Sequence, residues 1–503
     1  MKPSPRPQIT PSTVACLCTF LIAACLLGLG VSSAEPRIAL SKKSGPPTSR
    51  ILVSGRGFEP NAGVDIYFDT KDEVLAITDG KGGFNDAKAY APRSARPGQH
   101  WVTALERNND KGAQKRFLVR TNWSQFHFTP AHDGLNAYEN VLNPDSAGDL
   151  QLKWSFKTGG DVSPPVVVNG VVYIGSGDDY VYALKAGSGV LLWKYRAQNG
   201  IFSSLAVAEG MVYVVAYDDD LYALDAATGT KVWSFPTGLR YLGVDPVVAN
   251  GTVYVSSWNG SRGAINALDA RTGAKRWSYG GHNAGFHAPA VAEGVVYTGS
   301  SDGNVYALDA RNGAKLWSYH VGPYGPASTP AVANGIVYID VDFDATESVY
   351  ALNARTGTLL WRFPTPNPVF SAPTVANGVV YFGGTDFSVY ALDAYTGTKI
   401  WSYRTGESVY SSPVVADGVV YVGSDDYNVY ALDARKGTLL WEYVTGYWVN
   451  SSPAVANGVL YVGSGDGNVY AFSAQHAAGE VGAASTRPDL KALRPDFTLK
   501  ADR

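Results

Sequence analysis

Tyr430-Ala-Leu-Asp-Ala-Arg-Lys-Gly-Thr-Leu-Leu-Trp441 joins an apolar strand, a polar turn with a glycine and a second strand ending in tryptophan. Close copies end at Trp193, Trp233, Trp277, Trp317, Trp361 and Trp401. Self-similarity with a period of about 40 residues marks a propeller or a solenoid. Around the quoted run, Ser411–Val415 reads as strand A, Val419–Gly423 as strand B, Asn428–Leu432 as strand C and Thr438–Tyr443 as strand D. The first turn carries Asn-Gly or Asp-Gly in several copies, as at Asn169-Gly170 and Asp417-Gly418. That pair favours a two-residue hairpin because both positions tolerate positive φ.

Counting the copies bears on closure. The A-B-C portion ends at Leu184, Leu224, Leu268, Leu308, Leu352, Leu392, Leu432 and Phe472. The strand-D tryptophans are Trp154, Trp193, Trp233, Trp277, Trp317, Trp361, Trp401 and Trp441, and the first of these precedes the first unit. The economical expectation is an eight-bladed ring over 150–473, with Leu152–Lys157 as the outer strand of the last blade and no edge left open. Two units are longer between strands B and C, at Trp258–Arg262 and Asp342–Glu347.

The flanks differ from the repeat. Lys2 and Arg6 precede an apolar run from Val14 to Val31 and a small-residue site at Ser32-Ser33-Ala34, the pattern of a signal peptide over 1–34. An uncleaved anchor and a lipid anchor at Cys25 are the alternatives, and all three place the rest of the chain outside the cytoplasm, in the periplasm, at the cell surface or secreted. Cys16, Cys18 and Cys25 are the only cysteines, so nothing beyond this segment can form a disulfide or attach haem through thiols. Residues 36–120 alternate like half-buried strands at Ile51–Phe58, Val64–Phe68, His100–Leu105 and Arg116–Val119, a small β-sandwich. Residues 121–149 form a connector expected to lie against the propeller, with His132-Asp133 read as a turn, and 474–503 a mobile or surface-laid tail. A formal charge of −3 lacks the basic stripe of a nucleic-acid protein.

Ala-Leu-Asp-Ala-x-Thr-Gly-x-x-x-Trp, as in Ala223–Trp233 and Ala391–Trp401, resembles the tryptophan-docking motif of the quinoprotein-like propellers. That family includes dehydrogenases dependent on pyrroloquinoline quinone (PQQ). It also includes non-enzymatic relatives such as the propeller lipoprotein of the outer-membrane β-barrel assembly machinery. The order Gly57-Phe58-x-Pro60-Asn61, Val64–Asp69 and Arg96-Pro97-Gly98 in turn resembles bacterial immunoglobulin-like modules of exported and surface proteins, usually spacers or adhesive units. The resemblance implies that the repeated tryptophans are packing residues. The family's calcium ligands and catalytic base have no identifiable counterparts here, and its adjacent-cysteine disulfide has no cysteines.

Binding is expected at the face built by the D–A and B–C loops. Aromatics fall where strand A begins, at Phe202, Phe286, Phe370 and Tyr410, with Tyr241, Tyr324 and Trp448 slightly earlier. Such rings can stack on a flat ligand or grip an extended peptide or glycan. The same loops carry Asp178, Asp218, Asp302, Asp342, Asp386, Asp425 and Asp466, opposite a set of basic C–D turns, although aspartate also serves simply as a turn residue. No metal site and no catalytic residue is expected; His282 and His287 alone lack a placed carboxylate. The function expected is an exported, non-catalytic scaffold that binds an envelope protein, peptide or glycan, without a cofactor. The alternative is a PQQ- and calcium-dependent alcohol or sugar dehydrogenase.

Overall fold

The computed structural model describes residues 35–238, 245–258, 261–282, 284–322, 325, 328–341, 348–475, 485–490 and 493. The expected export segment 1–34, Tyr241, Tyr324, Asp342 and most of the tail lie outside the described residues. Among the described residues the fold is all-β apart from one short helix, Pro144–Ala147, capped by Asn143.

Among the described residues, the repeat region forms eight antiparallel sheets with four repeat strands each. The quoted unit shows why. Val419–Gly423 and Asn428–Asp433 bury four or more consecutive side chains because neighbouring sheets cover both faces, whereas the outer strand Leu439–Val444 alternates toward solvent. Strand A begins only at Val414, later than its apolar pattern suggests. Pro413 has no N–H to donate, and the preceding Ser411 hydroxyl instead accepts from the Gly423 N–H at 3.0 Å. The A–B turns adopt positive φ at both residues, 55° and 82° at Asn169-Gly170.

The innermost strands touch in circular order, with the last also meeting the first. The joint is made by strand exchange: Leu150–Lys157 pairs antiparallel with Asn468–Ala474 in the sheet that ends the repeat. Each joint between sheets is built from the same parts. The indole N–H of Trp193 and the hydroxyl of Tyr173 both donate to the carbonyl of Ala226 in the next sheet, each at 3.1 Å. Trp401 and Tyr381 do the same to Ala434 at 3.0 and 3.1 Å. Indoles of Trp233, Trp277, Trp317 and Trp361 bond the carbonyls of Ala270, Ala310, Ala354 and Ala394. Trp154 reaches Ala186 at 2.9 Å across the closing joint. Where the exchanged strand supplies the outer edge, Trp441 bonds Leu150 instead and the Tyr421 hydroxyl has no partner among the described residues.

The N-terminal region packs a three-stranded sheet (Arg37–Leu40, Arg50–Arg56, Phe84–Tyr90) on a five-stranded one (Ser44–Gly45, Gly112–Val119, Gly98–Glu106, Gly63–Phe68, Lys71–Ile77). Ile51, Val53, Val64, Ile66, Phe68, Val102, Phe117 and Val119 fill the space between them. Lys71–Ile77 and Phe84–Tyr90 are strands that the alternation of apolar residues did not reveal. Described tail residues lie on this sandwich: the Trp101 indole donates to the Ser485 carbonyl at 3.0 Å, and Leu493 packs on Tyr67 and Leu105. No helix of the described residues is long and apolar enough to cross a membrane.

Candidate functional site

The D–A and B–C loops meet on one face of the ring. Gly159, Gln198, Gly406 and Gly446 in D–A loops donate backbone N–H groups to Asp178, Asp218, Asp426 and Asp466 in B–C loops, at 2.6–2.8 Å. The same carboxylates accept the hydroxyl of the tyrosine four residues on. Tyr182–Asp178, Tyr222–Asp218 and Tyr306–Asp302 are each 2.7 Å, Tyr430–Asp426 and Tyr470–Asp466 each 2.6 Å, and Tyr390 bonds Asp386 likewise. Burial and the carboxylate acceptor push these phenols well above their ordinary value. Of the acidic residues expected to face a ligand, Asp178, Asp218 and Asp466 each tie one loop to the next. Asp302 and Asp386 instead bond a tyrosine within their own hairpin, and one buried Asp386 oxygen has no partner among the described residues. In the seventh unit Asp426, not Asp425, holds this position. Asp425 is half-buried, its carboxyl held above the usual range by burial and by Glu407 and Asp426.

The aromatic residues on this face divide. Phe202, Phe370 and Tyr410 are 37–41 % exposed, and Phe370 stacks on Tyr410 with ring centres 5.6 Å apart. Phe286 departs from the expectation: it is 2 % exposed and packs against Tyr279 and Tyr306. Three exposed rings escaped the sequence reading. Tyr217 sits 4.8 Å from Phe202, and Tyr427 stacks on Tyr447, which lies 3.9 Å from the half-buried Trp448. Tyr217 and Tyr427 occupy B–C turns, whose charge drew the reading toward aspartate. The loop set thus presents exposed aromatic pairs rather than an open ring of carboxylates.

His282 and His287 do not form a metal pair with a carboxylate. The Arg262 guanidinium donates to His282 at 2.9 Å, and burial pushes the His287 imidazole down to about 4. Among the described residues no group of three or more His, Cys, Asp or Glu is placed to hold a metal ion. A cleft of about 790 Å³ opens beside the longer hairpin of the third unit, lined by Phe235, Trp258, Arg262, Lys275 and His282.

The opposite end of the ring is closed by the connector. Inner A strands leave N–H groups aimed at the axis, and buried backbone donors need partners. Residues 123–136 supply them in order. Trp123 pairs with Val167; the Val207 N–H donates to Ser124, Val248 to the Gln125 side chain, Val291 to Pro130 and Val332 to Ala131, over 2.6–3.1 Å. Val375 donates to Asp133, Val415 to Gly134, and the Asn136 amide donates to Val455. A two-residue strand, Leu135–Asn136, pairs in parallel with Val415–Ala416. Buried Glu139 then accepts from the N–H groups of Val141, Leu142 and Gly458. The expectation of a connector lying against the propeller understated this: every innermost strand is bonded to it. His127 and His132 lie inside this plug, 1 % and 0 % exposed, each pushed down to about 3 by burial.

The profile described as outer membrane protein assembly factor BamB matches residues 123–245, 238–340, 323–412 and 405–480. No curated protein sequence matches the chain. Among solved structures, BamB from Moraxella catarrhalis is 22 % identical, covers 64 % of this chain and 99 % of its own, and superposes with a TM-score of 0.54. A europium-containing methanol dehydrogenase is 16 % identical over 70 % of this chain and 98 % of its own (TM-score 0.57). The quinohemoprotein alcohol dehydrogenase from Comamonas testosteroni is 18 % identical over 70 % and 80 % (TM-score 0.57). At these identities the likeness is one of fold, a PQQ-like β-propeller. The family is shown by the profile, which spans most of the ring: this chain belongs to the BamB family of PQQ-repeat β-propeller proteins.

Proposed function

We propose that this protein is an exported, non-catalytic binding scaffold of the cell envelope, an eight-bladed propeller with a tryptophan-docking motif at each joint, carried on an immunoglobulin-like spacer. The observation that carries the reading is the division of labour on the D–A/B–C face. Asp178, Asp218, Asp302, Asp426 and Asp466 are committed to turns and tyrosines. Phe202–Tyr217, Phe370–Tyr410 and Tyr427–Tyr447 stand exposed as aromatic pairs, the last beside the half-buried Trp448. Aromatic side chains bring large contact area at small entropic cost and dominate protein-binding hot spots. Membership of a family named for outer-membrane assembly supports a protein partner in the envelope. A dehydrogenase would need a carboxylate-rich donor set for its calcium ion and a free base. That Asp178, Asp218 and Asp466 already hold tyrosine hydroxyls and backbone N–H groups supports the scaffold over the dehydrogenase.

The test compares cross-linked envelope partners of the wild-type protein with those of a Phe370→Ala/Tyr410→Ala/Trp448→Ala variant. The reading requires a discrete partner that the variant loses while its melting temperature stays within a few degrees. In parallel, the wild-type protein is titrated with PQQ and calcium while dye-linked alcohol oxidation is followed. Saturable stabilisation with dye reduction would replace the scaffold reading by the dehydrogenase one.

A further inference from the structure

The plug holds two imidazoles that its structural role does not use. The ring nitrogens of His127 and His132 are buried and none makes a hydrogen bond of ordinary geometry. The His127 ring only approaches the backbone of His132, and the His132 ring that of Pro330, so at least one nitrogen of each ring is left over. Buried polar atoms in native proteins are nearly always satisfied, and an orphan calls for a reason such as an unseen ion or water. The rings stand perpendicular, with centres 6.5 Å apart and an interplanar angle of 89°. The backbone is held in the left-handed region at both histidines and at Phe128 between them, with φ of 52°, 56° and 71°. Such outliers cluster where a site over-determines the chain. Phe126 stacks on His127 at 4.1 Å and meets His132 edge-on at 5.4 Å, walling the pair off.

We propose that His127 and His132 form a two-coordinate site for a soft monovalent coinage-metal cation, Cu(I) or its analogue Ag(I), inside the ring. The geometry selects the class. Two imidazoles sharing one ion at nitrogen–metal distances of about 2 Å, in a near-linear arrangement, place their ring centres about 6 Å apart, close to what is found here. Zinc asks for four ligands and calcium or magnesium for six or more oxygens, and the plug offers neither set. Imidazole is a suitable donor for copper. A neighbouring aromatic face further favours a poorly hydrated cation. Beyond Cys25 the chain has no cysteine, so no thiolate there competes for the ion, and its one thioether donor there is Met211. Because both rings are enclosed, the ion enters as the plug folds, and its binding is coupled to folding.

The test uses the full-length protein with Cys16, Cys18 and Cys25 replaced by serine in every sample, because free thiolates capture soft cations. This parent protein is unfolded and refolded with one equivalent of Ag(I), or of Cu(I) under anaerobic reduction, and loose metal is then removed. The expected result is one ion retained per chain, a raised melting temperature, and an X-ray absorption edge and first shell of two nitrogen donors in near-linear array. Met211→Leu should retain the ion. His127→Gln and His132→Gln, each verified as folded by circular dichroism, should retain at least tenfold less. Absence of retained ion in the refolded parent protein overturns the proposal, as does equal retention by the folded variants. If the variants do not fold, the parent protein's first shell decides: sulfur or oxygen donors in place of two nitrogens would sink the site.

Discussion

At the scale of single residues, every joint between neighbouring sheets of the ring except the one at Trp441 is made by a tryptophan, a tyrosine and a glycine. Gly313 sits at φ 74°, and a Cβ there would stand 2.6 Å from Cε3 of Trp277. Gly170, at φ 82° in an A–B turn, has open space where its Cβ would point. The two separate backbone strain from collision. Gly170→Ala should cost about 1 kcal/mol, the left-handed penalty alone. Gly313→Ala should cost about 3 kcal/mol, because it adds overpacking of the indole. Urea unfolding midpoints measure both, and equal losses would mean that the indole yields freely. The Asp–Tyr pairs teach a related lesson about legibility. Asp178/Tyr182, Asp218/Tyr222 and Asp466/Tyr470 all recur at a spacing of four residues, so the partner of each carboxylate was in view in the sequence. Composition alone made the same residues look like a charged surface.

At the scale of elements, strands B, C and D were legible because buried apolar runs and an alternating outer strand leave a periodic trace. Lys71–Ile77 was not: it is an edge strand whose pattern starts with three charged residues, and edges are kept charged to prevent pairing. The connector was expected to lie against the propeller, but its strand-by-strand bonding left no trace, because most of its bonds to the ring come from its own carbonyls, which any residue supplies. The tail is held by a polar cluster of a different kind. Asp69 accepts from the His100 ring at 2.6 Å and from the Ser485 hydroxyl at 2.9 Å. Burial works against charging of both partners, yet the bond between them wins, raising His100 and lowering Asp69. A raised histidine stabilises fully below about pH 6.5 and loses that contribution as pH climbs through its folded value. A lowered aspartate stabilises fully above about pH 4 and loses its contribution as pH falls through its folded value. Attachment of the 485–490 segment should therefore be tightest between about pH 4 and 6.5. Amide exchange at Ser485, whose N–H donates to Gln99, reports it. A flat profile from pH 4 to 8, or one unchanged in Asp69→Asn, would contradict this account.

At the scale of the whole molecule, the ring is closed twice: at its rim by the exchanged strand Leu150–Lys157 and at its axis by residues 123–136. The two closures can be separated. A chain beginning at Thr121 keeps both and should melt within a few degrees of the full-length protein. One beginning at Leu150 keeps the rim but leaves the inner strand edges without partners. At a net 0.5–1.5 kcal/mol per hydrogen bond, losing the connector should remove several kcal/mol or prevent folding altogether. Thermal unfolding of the two truncations decides it, and similar melting temperatures would show that water satisfies the inner edges equally well. The order in which the connector meets the sheets has a further meaning. Trp123 meets the first sheet of the ring and Asn136 the last, and the chain makes this segment before any strand of the ring. It acts as a gauge: each sheet has a numbered seat, and the seats run out when the last sheet arrives. Duplication readily adds units to repeat proteins, but an extra copy here would find no carbonyl at the axis. The number of sheets in this ring is set by a stretch of chain that is not itself a repeat.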